Sequence, residues 1–491
     1  MMRRISLPTV SYRALPIVFA LSLTACVNLA PKYVEPTAPI PSTWSKRANP
    51  ADLQKERVQS QAEQVKDIEW RNFLLDAHLR EVVALALENN RNLRVAVLNI
   101  QKARAQYQIQ DATRYPAFNG GADITVSRIP AKSTGNGNGN GNGSPTISRE
   151  YSVGLGISSY ELDFFGRLQN LSTAALETYQ YNVETRRSAQ ISLIAEVAGA
   201  WMTLAANIER LALTRDTLKN QERAYALTKG SHDIGVRSGL DVVEAQASVD
   251  AASADEWHYI NQVAQDTSRL NLLVGIAVPA SLLPDNIPDR ATMLISSTVE
   301  LPSSLLLRRP DILAAEHTLI AANANIGAAR AAFFPSITLT AQGGTASSSL
   351  SRLFNAGSGN WLFMPSINVP IFNAGSNKAS LDVATVTRDI TIANYEKTVQ
   401  IAFKEVDDAL TQRSTLAGQL AAQHRLTNAN AKSYQLSEAR YRSGIDNYLN
   451  ALISQRSLYN AQLNLIGLRL AEQTSHITLY RVMGGGWTSD S

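Results

Sequence analysis

Few side chains in this chain could take part in a reaction, and the only thiol belongs to Cys26. One cysteine cannot form an intramolecular disulfide, a Cys-x-x-Cys redox pair or a cysteine metal cluster. Thr24 and Ala25 precede it, at the end of an apolar stretch that follows a basic N-terminus. This pattern is typical of a lipobox, so we expect a signal peptide over 1–25 and acylation of Cys26 after cleavage. The alternative is an ordinary signal peptide with an incidental cysteine.

The remaining reactive residues do not form a catalytic pattern. Of the six histidines, His317 follows Glu316 as a lone pair within a predicted helix, and His258 and His476 have no partner at metal-ligand spacing. The Gly-x-Ser-x-Gly, His-Glu-x-x-His and phosphate-loop patterns do not occur. We therefore predict that the protein is not an enzyme and binds no metal and no cofactor. The net charge of +4, without any basic run, gives no reason to expect nucleic acid.

Five charged residues beside glycine-containing turns could act through their electric field instead. In an assembly of three chains around a threefold axis, the three copies of each acid would form a ring that favours cations. Acid–arginine pairs between neighbouring chains would hold the central passage of such an assembly closed. The alternative is a solvated, capped turn. These gate candidates are Asp241, Glu244, Arg440, Arg442 and Asp446.

The elements that must position these residues occur twice in the chain. Identical residues stand 209 positions apart in the two copies, as Glu196 and Glu405 do (405 − 196 = 209). Tyr115 and Phe334, each of which precedes a proline that ends a helix, stand 334 − 115 = 219 positions apart. The residue of the second copy that corresponds to Glu244 is Ile453 (244 + 209 = 453). Because isoleucine carries no charge, an acidic constriction in the second copy is in doubt. An internal repeat predicts one structural unit per copy. The pairs at offset 209 include Glu196 with Glu405, Tyr225 with Tyr434, Gly235 with Gly444, Gln246 with Gln455 and Gly275 with Gly484.

Each copy predicts the same order of elements. A helix, at 77–114 or 304–333, ends near a proline. Two strands with alternating apolar and polar residues follow, and in the first copy the Gly-Asn tract 135–143 separates them as a flexible loop. The strands are expected at about 117–128 and 150–163 in the first copy and at about 336–348 and 359–371 in the second.

A long helix, a glycine-containing turn and a return helix complete each copy. Proline is absent from Thr146 to Val278 and after Ile371, so each long helix can span about 60 residues, or ~90 Å. Apolar residues in it recur at alternating steps of three and four, which indicates coiled-coil packing. They are Leu193, Val197, Ala200, Leu204 and Leu211 in the first copy, and Ile392, Tyr395, Val399, Ala402, Val406, Ala409, Leu416 and Leu420 in the second.

Four two-faced strands per chain cannot close a barrel. In lipid, an open sheet would leave backbone N–H and C=O groups unpaired at its edges, at roughly several kcal/mol each. Three chains would supply twelve strands, enough to surround an aqueous lumen. The predicted fold is therefore mixed α+β and mostly α. It is a trimeric twelve-stranded outer-membrane β-barrel continued by a long periplasmic α-helical coiled-coil barrel, with two tandem repeats per chain.

Several segments resemble the TolC-like outer-membrane efflux lipoproteins, most closely their multidrug and copper/silver branches. The resemblance implies a homotrimer in outer-membrane lipid that serves as a passive, gated duct for drugs, other small toxic compounds or metal ions. It also implies two partners, a periplasmic adaptor (membrane fusion) protein and an inner-membrane resistance-nodulation-division pump. The segments are YELDFFGR at 160–167, RRPDI at 308–312, AARAAFFPS at 328–336, YRSG at 441–444 and GGGW at 484–487.

Repeat and resemblance together predict how the chain is divided. The expected divisions are a signal peptide at 1–25, a lipidated N-terminal segment and equatorial region at 26–75, a first channel repeat at 76–275, a linker or equatorial region at 276–303, a second channel repeat at 304–484 and a tail at 485–491.

By the same resemblance, the turns at the ends of the helical hairpins meet the adaptor. The alternative is that their glycines only cap helices. The expected contact residues are Gly235, Val236, Arg237, Ser238 and Gly239 in the first turn and Gly444, Ile445, Asp446, Asn447 and Tyr448 in the second.

For the whole chain, the alternative function is a lipid-anchored periplasmic or surface coiled-coil structural protein, which would not need duplicated two-faced strands.

Overall fold

The computed structural model describes residues 27–41, 69–130, 145–293 and 303–485. The predictions for the signal peptide, Cys26, the Gly-Asn tract and Trp487 lie outside the described residues. The chain divides into two compact units. Unit 1 comprises Met1–Pro36, Gln101–Tyr181 and Glu316–Ala393, and unit 2 comprises Thr37–Ile100, Asn182–Ala315 and Asn394–Ser491.

Two copies of a helix, two strands and a helical hairpin follow one another along the chain. The bounds of the two long helices differ by the offset read from the sequence, since 167 + 209 = 376 and 233 + 209 = 442. Each of these helices has 67 residues. The helices are α1 (Trp70–Phe73), α2 (Ala77–Asn89), α3 (Arg91–Ala112), α4 (Arg167–Asp233), α5 (Gly239–Val274), α6 (Pro310–Ala331), α7 (Ser376–Arg442) and α8 (Tyr448–Val482). The strands are β1 (Phe118–Ile129), β2 (Thr146–Leu162), β3 (Ser336–Ser347) and β4 (Gly359–Asn368).

The single helix expected at 77–114 is interrupted at Asn90. This residue has an extended backbone, with ψ of 127°, and ends α2. Its Oδ1 accepts a hydrogen bond from the Leu93 N–H at 2.9 Å, so it also caps α3. Its Nδ2 donates to the Leu273 carbonyl oxygen at 2.7 Å. An asparagine whose side chain satisfies orphaned backbone groups favours such a break over a continuous helix.

The helix expected at 304–333 begins later than predicted. Ser303–Arg308 forms a 3₁₀ turn, and the α-helix starts at Pro310. Proline is well suited to the first helical position, because its missing N–H would have no intrahelical partner there. Strand β4 likewise ends at Asn368, three residues before the expected end, and Pro370 follows shortly after. Proline cannot donate to a strand ladder.

The four strands form one antiparallel sheet in the order β1-β2-β3-β4. The register places large apolar side chains on one face, where Phe118, Leu155 and Trp361 are exposed. The other face carries polar residues such as Asn119 and Asp123. The alternation predicted from the sequence is therefore present in the sheet, with the exception of Leu362 and Met364 of β4, which lie on the polar face.

Glycines let the sheet curve toward its polar face. On that face Gly121 lies opposite Gly154, which lies opposite Gly344. A Cβ added to Gly344 would collide with the Val153 carbonyl oxygen. By contrast, a Cβ on Gly343, which lies on the apolar face, would meet nothing within 4 Å. The polar face is therefore the concave one.

The core of unit 2 is built on the predicted heptad positions. All five first-copy residues of the pattern are buried, and so are six of the eight in the second copy, with Ile392 and Leu420 partly exposed. The ring of Phe73 on α1 stacks on that of Tyr480 on α8, with centroids 4.2 Å apart. The coiled-coil prediction is thus consistent with the packing.

Helix α4 contains an apolar window that the sequence analysis did not single out. Among the described helices it alone has an 18-residue window apolar enough to cross a membrane by length and composition, with a mean hydropathy of 1.5. Because 72% of that window is buried within the protein, we assign it to the core of the fold.

We expect Gly344→Ala to destabilise the protein and Gly343→Ala to leave it nearly unchanged. The added methyl group at residue 344 meets backbone atoms that cannot move aside, whereas the one at residue 343 enters open space. Overpacking of this kind costs roughly 1–3 kcal/mol. Thermal unfolding of the full chain in detergent, followed by circular dichroism, checks this, and equal midpoints for the two variants would contradict it.

Candidate functional site

The first hairpin turn joins α4 to α5. Gly235 has a φ of 78°, which an L side chain rarely adopts. Ser238 and Asp241 then form a capping box, in which each backbone N–H donates to the other's side-chain oxygen at 3.2 Å. Asp241 is therefore already used to start α5, and Glu244 lies about one turn further along that helix.

The second turn joins α7 to α8 and is built around Asp446. Gly444 has a φ of 72°. Asp446 Oδ1 accepts hydrogen bonds from Asn450 Nδ2 at 2.6 Å and from the Asn447 N–H at 3.0 Å, and Oδ2 lies 3.3 Å from Arg440 Nε. These contacts, chiefly the Asn450 hydrogen bond, hold the pKa of Asp446 below its usual 3.8. Asp446 therefore stays charged under ordinary conditions.

The structure pairs both gate-candidate arginines within the chain. Arg440 lies against Asp446, and Arg442 Nη2 lies 2.6 Å from Glu438 Oε1, one helical turn away. The sequence analysis had expected acid–arginine pairs between chains. In the single chain, all five gate candidates lie near the two turns, and only Arg440 and Asp446 pair with each other.

Aromatic packing links the two turns. The Arg237 guanidinium carbon lies 4.5 Å from the centroid of the Tyr441 ring, and Tyr441 lies 5.3 Å from the Tyr448 ring. Tyr448 packs with Ala245 and Leu452 and is only 5% exposed. Tyr448 is therefore enclosed within the chain, unlike the other expected tip residues, which are at least partly exposed.

Burial makes the Tyr448 hydroxyl group less acidic and leaves it without a hydrogen-bond partner in the described part of the chain. Desolvation is the main cause that raises its pKa to about 12. Within the described part of the chain, its hydroxyl has no hydrogen-bond partner. By comparison, the Tyr459 hydroxyl lies 2.8 Å from Thr214 Oγ1 and donates to Asp255 Oδ2 at 3.1 Å.

A buried polar seam follows α4 toward the first turn. Asn207, Thr214, Gln221 and Thr228 lie at steps of seven and are at most 6% exposed. They continue the heptad position that Ala200 occupies, with polar residues in place of apolar ones. Some are paired, such as Asn207 with Asp266 at 2.6 Å, while Gln221 Oε1 has no partner among the described residues.

The second hairpin has a similar seam. Adding 209 to 214, 221 and 228 gives Gln423, Asn430 and Ser437. Gln423 and Asn430 donate to carbonyl oxygens of the return helix α8, at 2.9 and 3.2 Å. Ser437 Oγ lies 3.0 Å from Ser454 Oγ, also on α8. The turn-proximal half of each hairpin therefore carries polar residues in its interface.

The segment that follows Cys26 belongs to unit 1 and packs near the end of β2. The Val27 N–H donates to the Phe164 carbonyl oxygen at 3.2 Å, and Asn170 Nδ2 donates to Asn28 Oδ1 at 2.8 Å. Gly327 on α6 leaves room for the segment, since a Cβ there would lie 2.8 Å from Ala30 Cβ. The chain next to the predicted acylation site is thus held where the sheet runs into α4.

A family model described as "Outer membrane efflux protein" matches residues 82–276 and 301–485 of the chain. These two segments contain both hairpins and all four strands described above. The chain belongs to the outer membrane efflux protein family.

Named relatives match over nearly the whole chain. "Antibiotic efflux pump outer membrane protein ArpC" of Pseudomonas putida is 46% identical over 470 residues, which are 96% of this chain and 94% of that protein. "Toluene efflux pump outer membrane protein TtgC" of the same species has the same identity and coverage. The crystal structure of the open state of the Neisseria gonorrhoeae MtrE outer membrane channel matches with a TM-score of 0.82 and 36% identity, over 94% of this chain and 98% of that one.

These findings confirm the predicted fold class, family and location. This outer membrane efflux protein is the outer-membrane component of an efflux pump, with the tandem-repeat architecture of the TolC-like channels. The alternative of a coiled-coil structural protein has no support among the matched relatives and structures. Among the described residues, no group of three or more His, Cys, Asp or Glu is placed to hold a metal ion.

The sequence analysis missed the polar seam and the role of Tyr441. The signal for the seam was present, because Asn207 stands seven residues after Ala200 in the apolar pattern. It was passed over because only apolar residues were taken as core positions. Nothing in the spacing could show that Arg237 of one turn lies over the ring of Tyr441 near the other.

We expect Tyr448→Phe to leave stability unchanged or to raise it, and Tyr459→Phe to lower it by about 1 kcal/mol. The first change removes a buried hydroxyl without a partner, while the second leaves Thr214 and Asp255 without theirs. The midpoints of thermal unfolding check the pair. A larger loss at residue 448 than at residue 459 would show that the Tyr448 hydroxyl is bonded in the assembled protein.

Proposed function

We propose that three copies of this chain form a passive, gated duct, and that the duct carries out no bond chemistry. The observation that carries this proposal is the open four-stranded sheet, whose edges are β1 and β4. Its exposed apolar face suits lipid and its concave polar face suits a water-filled lumen. Joining β4 of one chain to β1 of the next satisfies both edges, and twelve strands complete the ring.

We propose that the two hairpin turns dock on a periplasmic adaptor that an inner-membrane resistance-nodulation-division pump feeds. Apolar side chains at the turns support this, because Val236 is 68% and Ile445 66% exposed. Single exposed apolar residues are common, but two at adjacent turns form a surface that a partner can cover. An acyl chain on Cys26 would enter the membrane beside the end of β2.

The cargo proposed for this duct is small toxic organic compounds. The support comes from relatives at 46% identity whose names specify antibiotics and toluene.

Opening is proposed to occur in the turn-proximal half of the hairpins. Polar residues at core heptad positions stabilise a coiled coil less than apolar ones do. The seam from Asn207 to Thr228 therefore makes that part of the wall the easier part to rearrange. The apolar positions from Leu193 to Leu204 pack that part of α4 into the core of unit 2.

Complementation of a deletion strain tests the export function and the docking turns together. The wild-type gene should restore resistance to toluene and to antibiotics, while the double variant Val236→Asp/Ile445→Asp should not. Leu227→Asp is the matched control, because Leu227 is 74% exposed but lies about 12 Å along α4 from the turn. Equal amounts of each variant in the outer membrane must be verified.

The outcomes of that experiment separate the two claims. If the wild-type gene restores no resistance to any compound, the export proposal is wrong. If the double variant protects as well as the wild type, export stands and docking through these turns is wrong.

Ion selectivity in planar bilayers tests the acidic gate. We expect Asp446→Asn to shift selectivity from cations toward anions, because it leaves Arg440 without its carboxylate. Glu244→Gln should lower cation selectivity, and Glu222→Gln, an exposed acid on α4, serves as the control. If neither gate variant differs from the wild type in opening or selectivity, the acidic ring is absent.

The same recordings predict a pH dependence. A lowered pKa keeps Asp446 charged at every pH above it, so its contribution is lost only as the pH falls through a value below 3.8. Selectivity due to Asp446 should therefore persist at pH 5 and at pH 4.

A further inference from the structure

Two arginines stand at the far end of the apolar face of the sheet. The register places Arg128 of β1 opposite Ile147, and Arg149 of β2 opposite Val126. Because directly opposed residues share a face, both arginines lie on the side that carries Ile124 and Val126. Both are exposed. A pair of cations is unexpected on a face that is mostly apolar, with Thr345 and Ser347 as uncharged polar residues on it.

The two side chains can reach one common anion. Arg149 is the diagonal neighbour of Arg128, and the Cα atoms of such pairs lie ~7–8 Å apart. The nearest acid in sequence, Glu150, points to the opposite face. Among the described residues, neither arginine forms an ion pair with a carboxylate within 4.0 Å.

The position along the strand matches the outer edge of the lipid. From Phe118 to Arg128 the chain advances ten residues, ~33 Å along β1, which becomes ~25 Å of height at a tilt of about 40°. That is the height of the apolar band of outer-membrane barrels. Phe118 lies next to helix α3 at the periplasmic end of the sheet, so Arg128 belongs to the opposite, outer end.

We propose that Arg128 and Arg149 bind a phosphate group of a phosphorylated glycolipid in the outer leaflet. Guanidinium groups bind phosphate with paired, charge-assisted hydrogen bonds. The apolar residues below them, Ile124 and Val126, would contact the acyl chains of the same lipid. This inference depends on the outer-membrane location and on which sheet face meets lipid, and it does not depend on the cargo.

Native mass spectrometry of the full-length protein in detergent tests this assignment. The protein is titrated with lipid A that carries two phosphates and, separately, with the same lipid after dephosphorylation. We expect the wild type to prefer the phosphorylated form, and Arg128→Gln/Arg149→Gln to bind that form at least about tenfold more weakly. Arg128→Lys/Arg149→Lys keeps the charge and should retain most of the affinity. Arg223→Gln, an exposed arginine on α4, removes the same kind of charge elsewhere and should bind as the wild type does.

Three results would overturn the proposal. They are unchanged affinity in the Arg128→Gln/Arg149→Gln variant, an equal loss in Arg223→Gln, and equal binding of the two lipids by the wild type. The last comparison needs no substitution, so it decides the matter even if the double variant does not fold.

Discussion

The architecture depends on the cost of leaving backbone hydrogen-bonding groups unpaired in lipid. One chain makes a sheet of four strands with two open edges, and a membrane supplies no water to satisfy them. The sheet is curved by glycines toward its polar face. We propose that it is one sector of a larger ring, in which sister chains pair with both open edges. The apolar outer face and polar inner face then follow from the period of two along each strand.

Much of this fold could be predicted from the sequence, because periodicity and repetition carry it. The offset of 209 located both long helices, and the proline-free stretches predicted about 60 residues for helices that have 67. The heptad pattern alone identified buried residues such as Val197 and Val406. These features are local or repetitive, so the order of residue types is enough to reveal them.

The candidate site could be located but not described in this way. Sequence spacing placed Asp446 and Arg440 near one turn, yet only the folded chain shows that they pair and that Asn450 helps to hold the carboxylate. The break at Asn90 combines a local cap on the Leu93 N–H with a hydrogen bond to the Leu273 carbonyl oxygen, 183 residues away, and no local pattern contains this second contact. The contact between Arg237 and Tyr441 likewise joins separate hairpins. Long-range side-chain contacts therefore set the limit of prediction.

The equal length of α4 and α7 restricts which insertions and deletions such a protein can accept during evolution. Each added residue lengthens a helix by about 1.5 Å and rotates everything beyond it by about 100°. Insertion of one residue in either 67-residue helix would rotate the residues beyond it out of the buried face. It would also displace the hairpin turn at the end of that helix along the helix axis relative to the turn of the other hairpin. Tolerated changes in length should come as whole heptads in both repeats together, with matching additions in α5 and α8. The length of the helical hairpins can therefore change only in coordinated steps.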